Sequence, residues 1–254
     1  MEDAGFASAL GQLTYLSEES VMPSVNQFAY VPNTSTYKFA YGGSIPNMAI
    51  ANMPNDTNWA RWTMLNDGEY YRMYFFKGSS ADTLYQAAFN PATSKYEFGF
   101  HSIPELKITG APPDTDASSV SMLYDGSTST YRLYLRRLGA PTVLYQFGFN
   151  RSTNHYEYGY NSIPALNVTG APGDTDFHRW SMLFDGSTYR LYAFKVGSVD
   201  TFYQFGYNPQ TQAYQYGHDS IPILTLVGTP ANSNLTSMSM LFGQGDYRFY
   251  FQTL

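Results

Sequence analysis

The chain has 254 residues, of which 43% are hydrophobic, 18% aromatic and only 13% charged, with 24 Tyr, 18 Phe and 3 Trp. Fourteen Lys and Arg against 20 Asp and Glu leave a net charge of −6, which argues against a nucleic-acid backbone as partner because neutralising phosphates takes clustered cations. Cysteine is absent, so disulfides, thiolate metal sites and thiol nucleophiles are excluded, and the scarcity of long charged side chains speaks against a helical bundle.

The first residues, Met1-Glu2-Asp3, begin acidic, without the basic start and apolar run of a signal peptide. No apolar stretch approaches the roughly eighteen residues of a membrane span. A cytoplasmic location is the default expectation, and a secreted one follows if a leader was removed. Residues 1–20 fall outside the pattern of the rest and are expected to form an N-terminal arm or short helix, with Ala7 to Glu19 as the helical candidate. Residues 21–254 read as one domain.

Within that domain two strand-like segments come first, Asn26 to Tyr30 and Tyr37 to Tyr41, followed by Ser44-Ile45-Pro46. Ser-Ile-Pro then returns at Ser102, Ser162 and Ser220, with spacings of 58, 60 and 58 residues, and Met-Leu recurs at Met64, Met122, Met182 and Met240 with the same spacings. Self-similarity at a fixed period decides architecture before local propensity does. One full copy runs through Trp180 to Phe184, Tyr189 to Lys195, Phe202 to Tyr207 and Ala213 to His218. Asp185-Gly186 and Asn208-Pro209 between these aromatic runs are hairpin and turn chemistry. Four such strands in a meander make one propeller blade. The Pro- and Gly-bearing stretch Ser162 to Asp176 is expected to lead from the outer strand of one blade to the inner strand of the next. The last copy stops after its second strand, Tyr247 to Thr253, whereas the first starts with a third and fourth. The fold expected is therefore all-β: a four-bladed β-propeller of four-stranded antiparallel blades, one blade closed by the N- and C-terminal strands so that no sheet edge stays open.

The order Met-Leu-Phe-Asp-Gly, Tyr-Arg-Leu-Tyr-Ala-Phe-Lys, Tyr-Gln-Phe-Gly-Tyr and Ser-Ile-Pro resembles the hemopexin-like repeat over all four units. The resemblance implies four blades around a narrow channel that sometimes holds ions on inner-strand carbonyls, and a binding role. The period here is longer, and the disulfide joining first and last blades in that family has no cysteines to form it.

Polar residues that recur on strands need partners. Arg72, Arg132, Arg190 and Arg248 share one repeat position, and Gln27, Gln86, Gln146 and Gln204 another. Either they satisfy neighbouring carbonyls, as buried polar groups must, or they face four equivalent grooves and bind ligand hydroxyls beside Tyr faces. The ladders Tyr71/Tyr74, Tyr131/Tyr134, Tyr189/Tyr192 and Tyr247/Tyr250 suit core filling between sheets. Residues that depart from the repeat are free to serve a surface, which singles out Trp59, Trp62, His178, Arg179 and Trp180 as ligand-binding candidates. Asp114 with Asp116, and Asp174 with Asp176, cluster oxygen ligands that suit calcium, although the Gly and distal Glu of a calcium loop are missing.

No G-x-S-x-G, paired-carboxylate signature or phosphate-cradling loop occurs, so binding rather than catalysis is expected. Repeated, amide-bearing, weakly charged aromatic units suit neutral sugars, and a multivalent carbohydrate-binding, lectin-like protein is the leading reading. A protein-interaction scaffold is the alternative. Neither the oligomeric state nor the choice between a glycan and a protein partner is written in the sequence.

Overall fold

The computed structural model describes residues 23–253 and is all-β, with a single 3₁₀ turn at Pro32–Thr34 and no α-helix among the described residues. The arm or helix expected over residues 1–20 lies outside the described residues. In chain order the strands are β1 (Ser24–Val31), β2 (Thr36–Phe39) and β3 (Met48–Ala51), then β4 (Thr57–Asn66), β5 (Tyr71–Lys77), β6 (Thr83–Asn90), β7 (Lys95–Phe98) and β8 (Glu105–Thr109). The next repeat supplies β9 (Thr115–Asp125), β10 (Thr130–Arg137), β11 (Ala140–Asn150), β12 (His155–Tyr158) and β13 (Ala165–Thr169). The third supplies β14 (Thr175–Phe184), β15 (Tyr189–Lys195), β16 (Thr201–Asn208), β17 (Ala213–Tyr216) and β18 (Ile223–Val227). Finally β19 (Ser233–Gly243) and β20 (Asp246–Thr253) complete the split unit, β20 pairing antiparallel with β1 from Val25↔Gln252 to Ala29↔Arg248.

Each unit thus has five strands rather than the expected four. The extra one, β8, β13, β18 or β3, lies in the stretch read from sequence as a connection. Leu166 and Val168 of β13 are buried while Ala165, Asn167 and Thr169 are exposed, an alternation that marks a strand with one face inward. This strand pairs antiparallel with the first half of its own unit's third strand, Val143↔Asn167 to Tyr145↔Ala165, and parallel with the fourth strand of the next unit, Asn167↔Ala213 to Thr169↔Gln215. Repeated around the molecule, these pairings run β6-β8-β12-β11-β13-β17-β16-β18-β2-β1-β3-β7 and back to β6, a closed ring of twelve strands to which each unit contributes three. Outer sheet edges that separate blades would leave open are therefore paired across units, which removes sites for edge-to-edge aggregation.

Inside the ring the first strands β4, β9, β14 and β19 lie side by side around the axis. No backbone ladder joins them; side-chain hydroxyls do. Thr63, Ser121, Ser181 and Ser239 accept from the backbone N–H of Met122 (3.2 Å), Met182 (2.7 Å), Met240 (2.9 Å) and Met64 (2.8 Å), one bond from each inner strand to the next around the cycle. The free space along the axis, bordered by Leu65, Met122, Met182 and Leu241, is about 10 Å³. That is about the room of one water-sized probe.

Four apolar clusters fill the interfaces between successive units, each built from the Met face of one unit and the Leu and Tyr face of its neighbour. Carboxylates at the ends of the inner strands tie the same interfaces. Asp67, Asp125 and Asp185 accept the hydroxyls of Tyr131 (3.0 Å), Tyr189 (2.6 Å) and Tyr247 (2.7 Å) from the next unit. Burial alone pushes Asp185 up, but hydrogen bonds from Arg190, Thr188, Tyr247 and Ser187 outweigh it and hold the carboxyl down at about 2. Asp125, similarly opposed by burial, is held at about 2 by Ser127, Thr128 and Tyr189. A folded-state value depressed below the ordinary 3.8 contributes stability that is complete above about pH 4 and is lost as pH falls toward 2. Each of these buried groups is expected to contribute about 2 kcal/mol. Urea unfolding followed from pH 5 to pH 2 should show that loss, and Asp185→Asn should be weaker at neutral pH and flatter across the window. An unchanged pH slope in Asp185→Asn would count against this assignment.

Candidate functional site

At the turn end of the inner strands, each pair of adjacent units encloses an open pocket, and the four pockets are built from the same repeat positions. Between the second and third described full units, Arg132 and Tyr134 of β10 and Gln146 of β11 face Tyr189, Tyr207 and Tyr214 of the neighbour, enclosing about 320 Å³. The corresponding pockets hold Arg190 with Gln204 (about 350 Å³), Arg248 with Gln27 (about 230 Å³) and Arg72 with Gln86 (about 670 Å³). The Ser-Ile-Pro segment forms one wall each time, through Ile163, Ile221, Ile45 and Ile103.

The amides are held at both ends. Gln146 Nε2 donates to the Tyr134 hydroxyl (2.5 Å), Gln86 to Tyr74 (2.6 Å), Gln204 to Tyr192 (2.6 Å), and Gln27 to Tyr250. Each Oε1 accepts the backbone N–H of the Ser-Ile-Pro isoleucine at 2.7–2.8 Å. Burial pushes the Tyr134 hydroxyl up to about 12, so it stays protonated, and the Tyr214 hydroxyl of the next unit stands against it. The Gln quartet is therefore an anchor that fixes the Ser-Ile-Pro wall, as the structural reading of the sequence has it.

The guanidinium groups are half-buried in the pocket floor. Arg190 donates from Nε to Asp185 (2.7 Å) and from Nη1 to the Asp219 carbonyl (2.7 Å), and Arg72 binds Asp67 and the His101 carbonyl in the same way. Arg248 uses Asp246 (2.7 Å) and the Gly42 carbonyl (3.2 Å). Arg132 donates to the Asn161 carbonyl (3.1 Å) but has no carboxylate partner among the described residues, and Asp125 is bound by Ser127, Thr128 and Tyr189. An Arg carries five N–H donors, so each of these forks keeps donors beyond the bonds that fix it. A second, half-buried aromatic layer completes the rim: Tyr189 meets Tyr207 edge-on at 5.9 Å, Tyr131 meets Phe149 at 5.9 Å, and Tyr247 meets Tyr30 at 5.9 Å.

The non-repeating candidates lie at the opposite, starting end of the inner strands, and none lines these pockets. Trp62 and Trp180 are each 2% exposed. Their indole N–H groups donate to Ser237 (2.7 Å) and Ser119 (2.8 Å) of the adjoining unit. In the units that supply those serines, Val120 and Met238 stand where Trp62 and Trp180 stand, so large residue and small polar partner alternate around the axis. The departure from the repeat is a matched core pair, which corrects the surface role expected of Trp62 and Trp180. Trp59 occupies a position that is apolar in every unit (Ala117, Phe177, Leu235) and packs edge-on against Phe75 at 5.1 Å. Arg179 is bound to Asp176 (2.8 Å) over the Phe194 ring, and exposed His178 places Nδ1 3.0 Å from Arg136 Nη2.

The calcium expectation is also corrected. Asp114 accepts from Tyr145 (2.7 Å) and Arg137 (2.7 Å), and Asp174 from Tyr203 (2.8 Å) with Lys195 nearby at 3.5 Å. Asp116 and Asp176 are bound by Arg136 (2.6 Å) and Arg179. Asp114 and Asp174 sit in the turns before β9 and β14 while Asp116 and Asp176 are on the strands, each carboxylate is taken by a separate cation, and no group of three metal-ligating side chains exists among the described residues.

Sequence reasoning missed the neighbour-unit rim, Tyr207, Tyr30, Phe149 and Phe89. Its signal was an aromatic just after the small residue (Gly148, Gly206, Ala88 or Ala29) that follows each repeated Gln.

No family model matches the chain, the hemopexin-like one included, and no curated protein matches it. Among solved structures it is similar to AofleA from Arthrobotrys oligospora, at 15% identity and a TM-score of 0.31, covering 75% of this chain and 52% of that one. The SapL1 lectin in complex with alpha methyl fucoside is 14% identical at a TM-score of 0.34 (85% and 66% covered). The six-bladed Aleuria aurantia lectin is 11% identical at 0.33 (91% and 72%). The chain spans about three fifths of the length of the first structures it matches. At such TM-scores the chain paths differ over much of their course, and no ligand transfers from these proteins to this chain.

Proposed function

We propose that the chain is a four-bladed β-propeller that acts as a non-catalytic, multivalent carbohydrate-binding protein, with the four inter-unit pockets as its sites. The observation that carries this is the fourfold recurrence of one open pocket combining a rigidly held arginine fork with two aromatic side chains at its rim. A neutral sugar presents apolar C–H faces that pack on aromatic rings and hydroxyls that pair with fixed planar donors. Side chains already held by Asp, carbonyl and Tyr partners lose little freedom on binding, which favours affinity. Single sites of this kind are weak, and four on one body gain through simultaneous engagement of a branched or repeated glycan.

Titration calorimetry with methyl α-fucoside, methyl α-mannoside, methyl β-galactoside and methyl β-N-acetylglucosaminide tests the reading. Binding of one of these with up to four equivalents per chain is expected, and Tyr207→Ala should remove one equivalent from a chain that still folds, lowering its unfolding free energy by about 1–3 kcal/mol. Exposed Val196, Val199, Ile223 and Val227 on the third unit favour the second reading, a protein-binding scaffold. Failure of all four glycosides, and of a neutral glycan array, would leave that reading in place of the first.

A further inference from the structure

The four pockets share walls but not size. The Arg72 pocket, at about 670 Å³, has roughly twice the volume of the next largest, at about 350 Å³. Its excess comes from residues that no other unit supplies. Tyr70 stands where the other units have Thr130, Thr188 and Asp246, and it stacks on His101 with ring centres 4.9 Å apart and planes 17° from parallel. The Arg72 guanidinium lies 5.1 Å from the same Tyr70 ring, and Phe100 meets His101 edge-on at 4.5 Å. His101 holds a left-handed backbone (φ 41°), which sets the imidazole toward the β4–β5 turn; Gly43, Asn161 and Asp219 occupy its repeat position elsewhere. On the neighbouring unit, Arg151 and Asn154 of the β11–β12 turn reach the rim, and Arg151 stands where Pro32, Pro91 and Pro209 stand in the other three turns.

From this we infer that the Arg72 pocket is an extended site that holds at least two consecutive sugar residues of an oligosaccharide, whereas the other three hold one terminal residue each. The inference rests on the carbohydrate reading above. The common portion, Arg72 with Tyr131 and Phe149, takes the terminal residue, as its counterparts do. The Tyr70–His101 stack supplies a second apolar platform beside it, and Arg151, Asn154 and Glu69 bring donors and an acceptor to the hydroxyls of the following residue.

The test compares each methyl glycoside that binds with the disaccharide and tetrasaccharide carrying the same sugar at the non-reducing end, by titration calorimetry on the full chain. One equivalent per chain is expected to bind the disaccharide about tenfold more tightly than the methyl glycoside, with the remaining equivalents unchanged. Arg151→Pro with Tyr70→Thr, each copying a residue that sibling turns already carry, should abolish that gain, while Tyr207→Ala in another pocket should keep it. Equal affinity for glycoside and oligosaccharide at every equivalent overturns the inference and leaves the carbohydrate reading standing, as does a gain that survives the double substitution. Absence of binding by any glycoside or oligosaccharide overturns both.

Discussion

Trp180→Ala is expected to destabilise the fold by about 3–5 kcal/mol, the cost of emptying a fully packed indole site whose surroundings relax only in part. The side chain is 2% exposed and packs with Met182, Leu191 and Tyr214 at the interface of the second and third units. Trp62→Ala should behave alike at the interface of the split unit with the first full one. Partner and ring are distinguishable. Ser119→Ala keeps the indole but leaves its N–H buried without an acceptor, which costs about 1–3 kcal/mol. Urea unfolding monitored by near-ultraviolet circular dichroism measures all three. The variants should keep glycan stoichiometry while folded, because the Trp lies at the far end of the inner strand from the pockets. Loss of sugar binding with an unchanged urea midpoint would restore Trp180 to the surface role the bare sequence suggests.

The second large effect is expected from the hydroxyl ring that joins the inner strands. Ser121, Ser181 and Ser239 are 0–1% exposed, and each is the sole link seen between one inner strand's side chains and the backbone N–H of the next at that level. Serine to alanine leaves the amide of Met182, Met240 or Met64 buried and unpaired, at about 1–3 kcal/mol for each replacement. The triple variant should therefore lose about 5 kcal/mol, a large part of an ordinary domain's margin. A Ser→Thr set retains the acceptor, as Thr63 already does at the fourth position, and should recover most of the loss. If the alanine triple unfolds at the parent's urea concentration, the ring contributes nothing and closure rests on the outer belt alone.

The division between what the sequence shows and what it hides follows the length scale of each interaction. Ser-Ile-Pro and Met-Leu expose the period because turn chemistry and strand alternation act within a few residues, and the out-of-phase termini expose the split unit. The fifth strand was hidden by its Pro- and Gly-bearing flanks, although the Leu166/Val168 alternation was there to be read. Its partners are half of one strand in its own unit and a parallel strand in the next, and no local pattern announces such a shared edge. The Gln and Arg quartets were legible as repeated polar positions. Which role each takes depends on the Ser-Ile-Pro wall some seventeen residues on, and on the Tyr of the next unit.

Periodicity, aromatic alternation and turn residues by themselves determined an all-β chain of four repeats with one repeat shared between the ends. Only the tertiary structure decided that the outer strands link into a twelve-strand belt, that Trp62 and Trp180 are matched to serines across an interface, and that each of the paired aspartates is taken by a separate cation. The physical reason lies in partners that no local pattern names. The belt and the Trp–Ser pairs join different units, the two pairs being 61 and 175 residues apart in sequence, and a repeat constrains what each unit contains without stating what its neighbour places against it.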